Sequence, residues 1–467
     1  MLDLSLELLK VYAQGGLSGA AVQRLAAAAW SDGWGRGDPL AERLARAGAG
    51  GEHSGNIQRD VLKAAQLAGI TENTPDVYKF QVPGKGGIDR DAEMVLVHEQ
   101  YQRVCEDGGA LQYCLNEEQL GATSGLGKLM TDWSRHEEVN LGRPPIDVAA
   151  LGVHGDGAQY TSDMRAGGAT SIYVMSWNFL AGEATQRARR FMVIALRKDN
   201  ICECGCEGFH TFDAVFKVMA WSMQCMRAGI APDRRHDGSP WTDHDRTHRL
   251  PGGAPLFRAA LLQVRGDWEW LSQPLRFRHV GNEEFCFMCQ ATHSGPLTYR
   301  CFPNDAPHRG TLLSHNDLVL SCVVHNTPLS ALFDCPGTTL THVAFDSMHL
   351  GGDLGTFADC VGSLFYLEVM NRRWHRSSLQ GLQSLNAELA LYYRANPQYS
   401  RLRLRMSQIR SKTPGYPTLK AKAAQVRQVV PFALMLARRH ARGDHPPSSS
   451  RGRRRWQGAQ PSTASSC

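Results

Sequence analysis

Residues Leu151 to Gln159 read LGVHGDGAQ, an apolar run that ends in an acid, Asp156, set between Gly155 and Gly157. Working outward, the chain from Ile146 falls into short apolar runs separated by polar turns: VAALGVHGD, TSIYVMSWNFL and RFMVIALRK. Three such segments in close succession predict neighbouring strands, the opening antiparallel meander of a mixed sheet. Helical spacing returns at Phe212 to Met226, and a further strand-like run, AALLQVRGD, closes in Asp267. Helices are expected again over Leu354 to Trp374, Leu379 to Ala395 and Leu419 to His440, so the fold class expected is mixed α/β.

Both acids close strand-like runs, and glycine beside them lets backbone or substrate come close. An acid next to glycine is also what an ordinary turn uses. Carboxylates at the ends of adjacent strands suit hard divalent cations, Mg²⁺ or Mn²⁺. A pair of such ions would hold the attacking and leaving oxygens of a phosphodiester.

The chain has 467 residues, enough for two or three structural units. Its net charge of +6 permits a polyanionic partner without requiring one. No apolar run reaches the roughly 18 residues of a membrane span, and VVPFALML from Val429 is short and carries a proline. MLDLSLELLK has no basic leader, which argues against secretion. With 13 cysteines, an odd number, several packed as C-x-C-x-C or C-x-x-C, the expectation is metal ligation or free thiols in a reducing compartment.

Two cysteine clusters are candidate Zn²⁺ sites. Cys286 and Cys289, with His293 or with Cys301 and His308, can supply a tetrahedral set in which the C-x-x-C gives two thiolates from one turn. Cys202, Cys204, Cys206 and His210 form the other, in CECGCEGFH. Alternate residues of an extended chain point to opposite sides, so its three thiolates meet one ion only if the glycine bends the chain. Reduced, partly buried thiols are the plainer alternative for both.

Alanine- and leucine-rich periodic stretches, Val22 to Trp30, Leu40 to Ala47 and Ile57 to Leu67, predict a small helical module. PGKGG from Pro83 marks a loop, and another helix is expected over Glu93 to Val104. GATSGLGKLM is no phosphate loop, because Ala122 stands at its first glycine and Leu129 at its Ser/Thr position. Ala231 to Pro255 is rich in Asp, His, Arg, Pro and Gly without fixed ligand spacing and reads as a solvated loop.

The order HGDGAQ, LLQVRGDWEWL, CFMC and FDSMHLGGDLG, followed by a helix, resembles DDE-type DNA transposases of the CACTA (En/Spm-like) group and the related Plavaka-like elements. Asp156, Asp267, Cys286 with Cys289, and Asp346 with His349 match the family's successive motifs, over about residues 145 to 375. The resemblance implies a ribonuclease-H-like fold, Mg²⁺- or Mn²⁺-dependent DNA cleavage at element ends and strand transfer by the freed 3′ hydroxyl. The expected partners are DNA and further copies of the chain in a homo-oligomer, with no membrane, and the expected location is the nucleus, or the cytoplasm for an inactive copy.

The third acid has no motif of its own. Glu368 is the first choice, because Phe357, Val361, Leu364 and Glu368 share a helical face, where a charge needs a metal or a partner. Glu388 is the reserve; a third acid lost beyond Arg442 would make this a truncated, inactive copy. Asp346 and His349, three apart, are expected at a helix start, positioning DNA or capping the helix. Trp268 and Trp270 would stack on an unpaired base or pack in the core.

The expected organisation is a helical N-terminal region over 1–90, a helical linker over 91–145, a ribonuclease-H-like core with cysteine-rich insertions over 146–375, a helical region over 376–443 and a disordered basic tail over 444–467. The competing expectation is an inactive zinc-containing DNA-binding or scaffold protein that keeps the fold.

Overall fold

The computed structural model describes residues 4–442 except 14–16, 34, 49–55, 71–75, 107–109, 124, 160–170, 183–189, 280, 302, 347–354, 371–375 and 410–416. The basic tail therefore lies outside the described residues. The chain divides into two units, Met1–Ala344 and Phe345–Cys467.

The first unit opens with helices α1 (Leu4–Ala13), α2 (Gly19–Ser31), α3 (Pro39–Ala45) and α4 (Ile57–Leu67). Leu9, Val22, Leu44 and Val61 bury their side chains in a core shared by these helices. Starts are fixed by side chains that accept orphan N–H groups: Ser18 caps α2, and Asp38, followed by Pro39, caps α3.

Helix does not persist to residue 90. Strands β1 (Tyr78–Pro83) and β2 (Asp89–Met94) form an antiparallel hairpin around the predicted PGKGG loop. In β1 the burial alternates, with Tyr78, Phe80 and Val82 inward, so the period of two overrides the helical expectation. Helix α5 (Val97–Glu106) starts four residues later than expected; α6 (Glu117–Leu120) and α7 (Gly125–Arg135) follow.

The meander is present as β3 (Val148–Gln159), β4 (Ser171–Phe179) and β5 (Arg190–Arg197), paired antiparallel in turn. After α8 (Phe209–Ala228) and α9 (Asp243–His248), β6 (Arg258–Gly266) returns parallel to β3. Then come α10 (Trp268–Leu275), α11 (His315–Val324) and β7 (Val343–Phe345). Together they make one seven-stranded mixed sheet, ordered β1-β2-β5-β4-β3-β6-β7.

On one face of the sheet, Val148, Ala150, Ala260 and Leu262 pack with Met130 and Trp133 of α7. On the other, α8 and α10 bring Phe212, Val215 and Trp270 against the strands. The Asp- and His-rich loop is not solvated throughout. Arg249, 1% exposed, pairs with Glu99 of α5 at 2.7 Å and donates to the carbonyls of Asp76 and Val77, which fastens the loop to the foot of β1. Burial pushes the Glu99 carboxyl above its ordinary value, and Arg249 opposes that shift.

Trp270 fixes the junction of β3 and β6. A methyl group on either Gly155 or Gly266 would overlap its indole ring, and Trp270 is itself 2% exposed, with no room to retreat. Gly155→Ala is therefore expected to destabilise the first unit by about 1–3 kcal/mol, the usual cost of overpacking a core. A urea-unfolding midpoint equal to that of the wild type would refute this.

The second unit is helical: α12 (Thr356–Met370), α13 (Ser378–Ala395), α14 (Met406–Ile409) and α15 (Ala423–Arg442). Val361, Phe365, Leu385, Val426 and Phe432 are among its core residues. Among the described residues, no helix is long and apolar enough to cross a membrane.

Candidate carboxylate pair and metal centre

In the parallel ladder between β3 and β6, Gly155 is the register partner of Gly266. Asp156 and Asp267 each follow by one residue, where the parallel ladder ends: Asp156 lies within β3, which runs on to Gln159 against β4, and Asp267 is the residue just past β6, on neighbouring strands whose axes are about 4.8 Å apart. Both residues are half-buried. Because Gly155 and Gly266 direct their absent side chains toward Trp270, the next residue in each strand faces the opposite side of the sheet. His154 and Arg265, also register partners, share that side and make it polar where the α7 packing ends. Asp267 has a second task. Its Oδ1 accepts the Trp270 N–H at 2.7 Å, capping α10 and fixing the carboxylate's orientation.

Trp268 and Trp270 differ. Trp270 is core, as above, whereas Trp268 is half-buried, with its indole N–H donated to the Arg278 carbonyl at 3.1 Å.

Glu368 belongs to the second unit. It is 0% exposed, and its carboxylate meets Arg439 and His440 of α15, both at 2.9 Å. Arg439 also holds Glu388, at 2.8 Å. The buried charge thus has the partner it needs, and both candidate third acids join one ion-pair network within the unit. The face is shifted from the expected one: Val361 and Glu368 are buried as expected, but Phe357 is 47% exposed and Leu364 half-buried, while Ala358 and Phe365 point inward. Asp346 directly follows β7; His349 and the rest of the expected helix start lie outside the described residues.

The cysteines divide sharply. One ligand atom from each of Cys202, Cys204, Cys206 and His210 lies within 4.8 Å of all the others. The Nδ1 of His210 is 3.3 Å from Cys204 Sγ and 3.7 Å from Cys202 Sγ. A tetrahedron with Zn–S near 2.3 Å and Zn–N near 2.0 Å has S···N edges of about 3.5 Å, which these two contacts match. The required bend comes from Gly205 at φ +91° and Gly208 at φ +85°, a region open to glycine at little cost. Cys202 and Cys206 are buried; Cys204 and His210 are exposed.

The Cys206 thiol is lowered below its ordinary value. Burial would raise it, but the N–H groups of His210 and Gly208, at the start of α8, and the neighbouring thiols favour the thiolate. The Cys202 thiol is pushed up to about 11; a backbone hydrogen bond at Cys204 lowers it, and burial and the adjacent thiols outweigh that.

Cys286 and Cys289 find no such company. Among the described residues, no third His, Cys, Asp or Glu joins them in a metal-sized group, and His293 packs against the rings of Phe285 and Tyr299. A C-x-x-C supplies two ligands; this loop does not bring up the other two. Asp156 and Asp267 likewise have no third partner of that kind among the described residues.

No protein-family model matches the chain, and a search of curated proteins finds no similar sequence.

Proposed function

We propose that the first unit is a metal-dependent phosphoryl transferase of the ribonuclease-H-like kind, acting on DNA as a transposase does. The observation that supports this is the register of β3 and β6, in which Asp156 and Asp267 each follow one of the paired glycines Gly155 and Gly266 of adjacent parallel strands. The antiparallel meander, with β6 parallel to its first strand, supports the fold assignment.

Asp156 and Asp267 would hold the Mg²⁺ or Mn²⁺ ions, which when bound supply Lewis-acid activation of the attacking oxygen and charge neutralisation at the leaving one. The chain's own contribution is orientation. The α10 N-terminus fixes the Asp267 carboxylate, and Trp270, seated on Gly155 and Gly266, holds the two strand ends in place. Purified full-length chain with Mn²⁺ is expected to nick supercoiled DNA, and Asp156→Ala is expected to abolish the nicking without changing the melting temperature. Equal nicking by the variant removes the proposal.

The second reading is a catalytically inactive, zinc-containing DNA-binding or scaffold protein of transposase descent. It is favoured by the engagement of Glu368 and Glu388 with Arg439, which ties both candidate third acids to a cation. A wild-type chain that holds zinc and binds DNA but never nicks it would establish this reading over the first.

A further inference from the structure

Charge in this chain is unevenly placed. Between positions 371 and 443 there are fifteen Lys and Arg residues and a single acid, Glu388, and that acid is engaged by Arg439. Part of this excess is displayed in an ordered way. From 401 to 405 the sequence RLRLR alternates, with Arg401, Arg403 and Arg405 exposed and Leu402 and Leu404 buried in the core of the second unit. That alternation is the signature of an extended chain with one face inward.

The segment is held in position. The side-chain amide of Asn386 on α13 bonds the Leu404 backbone twice, donating to its carbonyl at 3.1 Å and accepting its N–H at 2.9 Å. Gln428 on α15 accepts the Ser400 N–H at 2.9 Å. Gln408 then joins the segment to the one carrying Lys420 and Lys422. Its side chain accepts the Arg405 N–H at 2.9 Å, and its carbonyl accepts the Lys420 N–H at 2.7 Å. Lys420, Lys422 and Arg427 are exposed, and none of these six cations forms an ion pair among the described residues.

We propose that this face of the second unit binds the phosphate backbone of duplex DNA. Alternate residues of an extended chain recur about every 6.8 Å, a spacing close to that between neighbouring phosphates of one duplex strand, roughly 7 Å through space. Successive arginines can therefore meet successive phosphates. Arginine suits the task, since its planar fork pairs bidentately with phosphate oxygens. Binding of this type is read through counterion release and carries no base preference. An anionic membrane surface is the poorer match. The apolar residues of the segment, Leu402 and Leu404, are buried and have nothing to insert between acyl chains.

The test uses full-length chain and a 20-base-pair duplex of arbitrary sequence, with no added divalent ion, so that binding is read apart from any cleavage. Affinity is followed by fluorescence anisotropy across a salt series. The triple variant Arg401→Ala, Arg403→Ala, Arg405→Ala is expected to weaken binding at least about tenfold and to flatten the log K against log salt slope by roughly 3, close to one unit per lost phosphate contact. The corresponding triple lysine variant should retain the wild-type slope, and both should keep the wild-type melting temperature. Because the assay contains no divalent ion and reads binding alone, a failure of the catalytic proposal leaves this one standing. No duplex binding by the wild type, an unchanged slope in the alanine variant, or binding only to phosphatidylserine vesicles would each overturn it.

Discussion

Replacing Glu368 by alanine is expected to cost the second unit about 3–5 kcal/mol, the range found when one member of a buried ion pair is removed and the other stays. Glu368 has no exposure, and its two oxygens serve different partners, Arg439 and His440. Without it Arg439, 11% exposed, keeps only Glu388, and His440 loses its carboxylate while a cavity opens beneath both. Glu388→Ala should cost less, about 1–3 kcal/mol, since Glu388 is partly exposed and Arg439 retains its deeper partner. Replacing Glu368 and Arg439 together by leucine and methionine should recover most of the loss, because what is costly is the unpaired charge more than the absence of the pair. Denaturant unfolding of the full chain, with the second-unit transition resolved, measures all three. A loss below about 1 kcal/mol for Glu368→Ala would mean that this carboxylate is not bound by Arg439, and would return it to consideration as a ligand elsewhere.

The same residue shows where sequence reasoning stops. That Glu368 turns inward follows from helical spacing, and that a buried carboxylate needs a partner follows from electrostatics. Whether the partner is a metal or Arg439 depends on which helix packs against α12, and Arg439 lies 71 positions away. The meander was legible because a period of two in three consecutive runs has few other solutions. The β1–β2 hairpin was not, since only its glycine-rich turn stood out and Asp89 to Met94, DRDAEM, has little of a strand's composition.

At the candidate site, two acids closing two apolar runs were visible. Their adjacency depends on the parallel register of β3 and β6, which is set over a hundred residues of intervening chain. Gly155 and Gly266 were visible as glycines, and core packing was the safer reading of Trp270, but nothing in the sequence showed that this is the ring the two glycines admit. The basic face of the second unit was written in the sequence as RLRLR, yet the chain-wide charge of +6 averages it away.

The two cysteine clusters separate for a comparable reason, and the surviving one carries the other large effect. Full-length chain is expected to bind one equivalent of Zn²⁺ at Cys202, Cys204, Cys206 and His210, and its removal should cost the first unit several kcal/mol. Binding energies of structural zinc are about 10–16 kcal/mol in small peptides, where the metal carries the whole fold. Here the part is smaller, because the loop has other anchors. Lys85 in the hairpin turn pairs with Glu203 at 2.8 Å, Gly84 bridges to Ile201, and Thr211 accepts the Cys202 N–H while donating its hydroxyl to the Pro83 carbonyl. These contacts tie the loop to both the β1–β2 turn and the start of α8, so losing the metal should loosen the hairpin along with the loop. Cys206→Ser removes a buried sulfur at the start of α8, and Cys204→Ser an exposed one. Both should reduce bound zinc below one equivalent, and Cys286→Ser should leave it unchanged. Metal analysis gives the stoichiometry, and hydrogen exchange at Tyr78 to Met94 with and without chelator reports the coupling. Zinc that survives Cys204→Ser and Cys206→Ser but is lost on Cys286→Ser would place the metal in the other cluster and remove this centre.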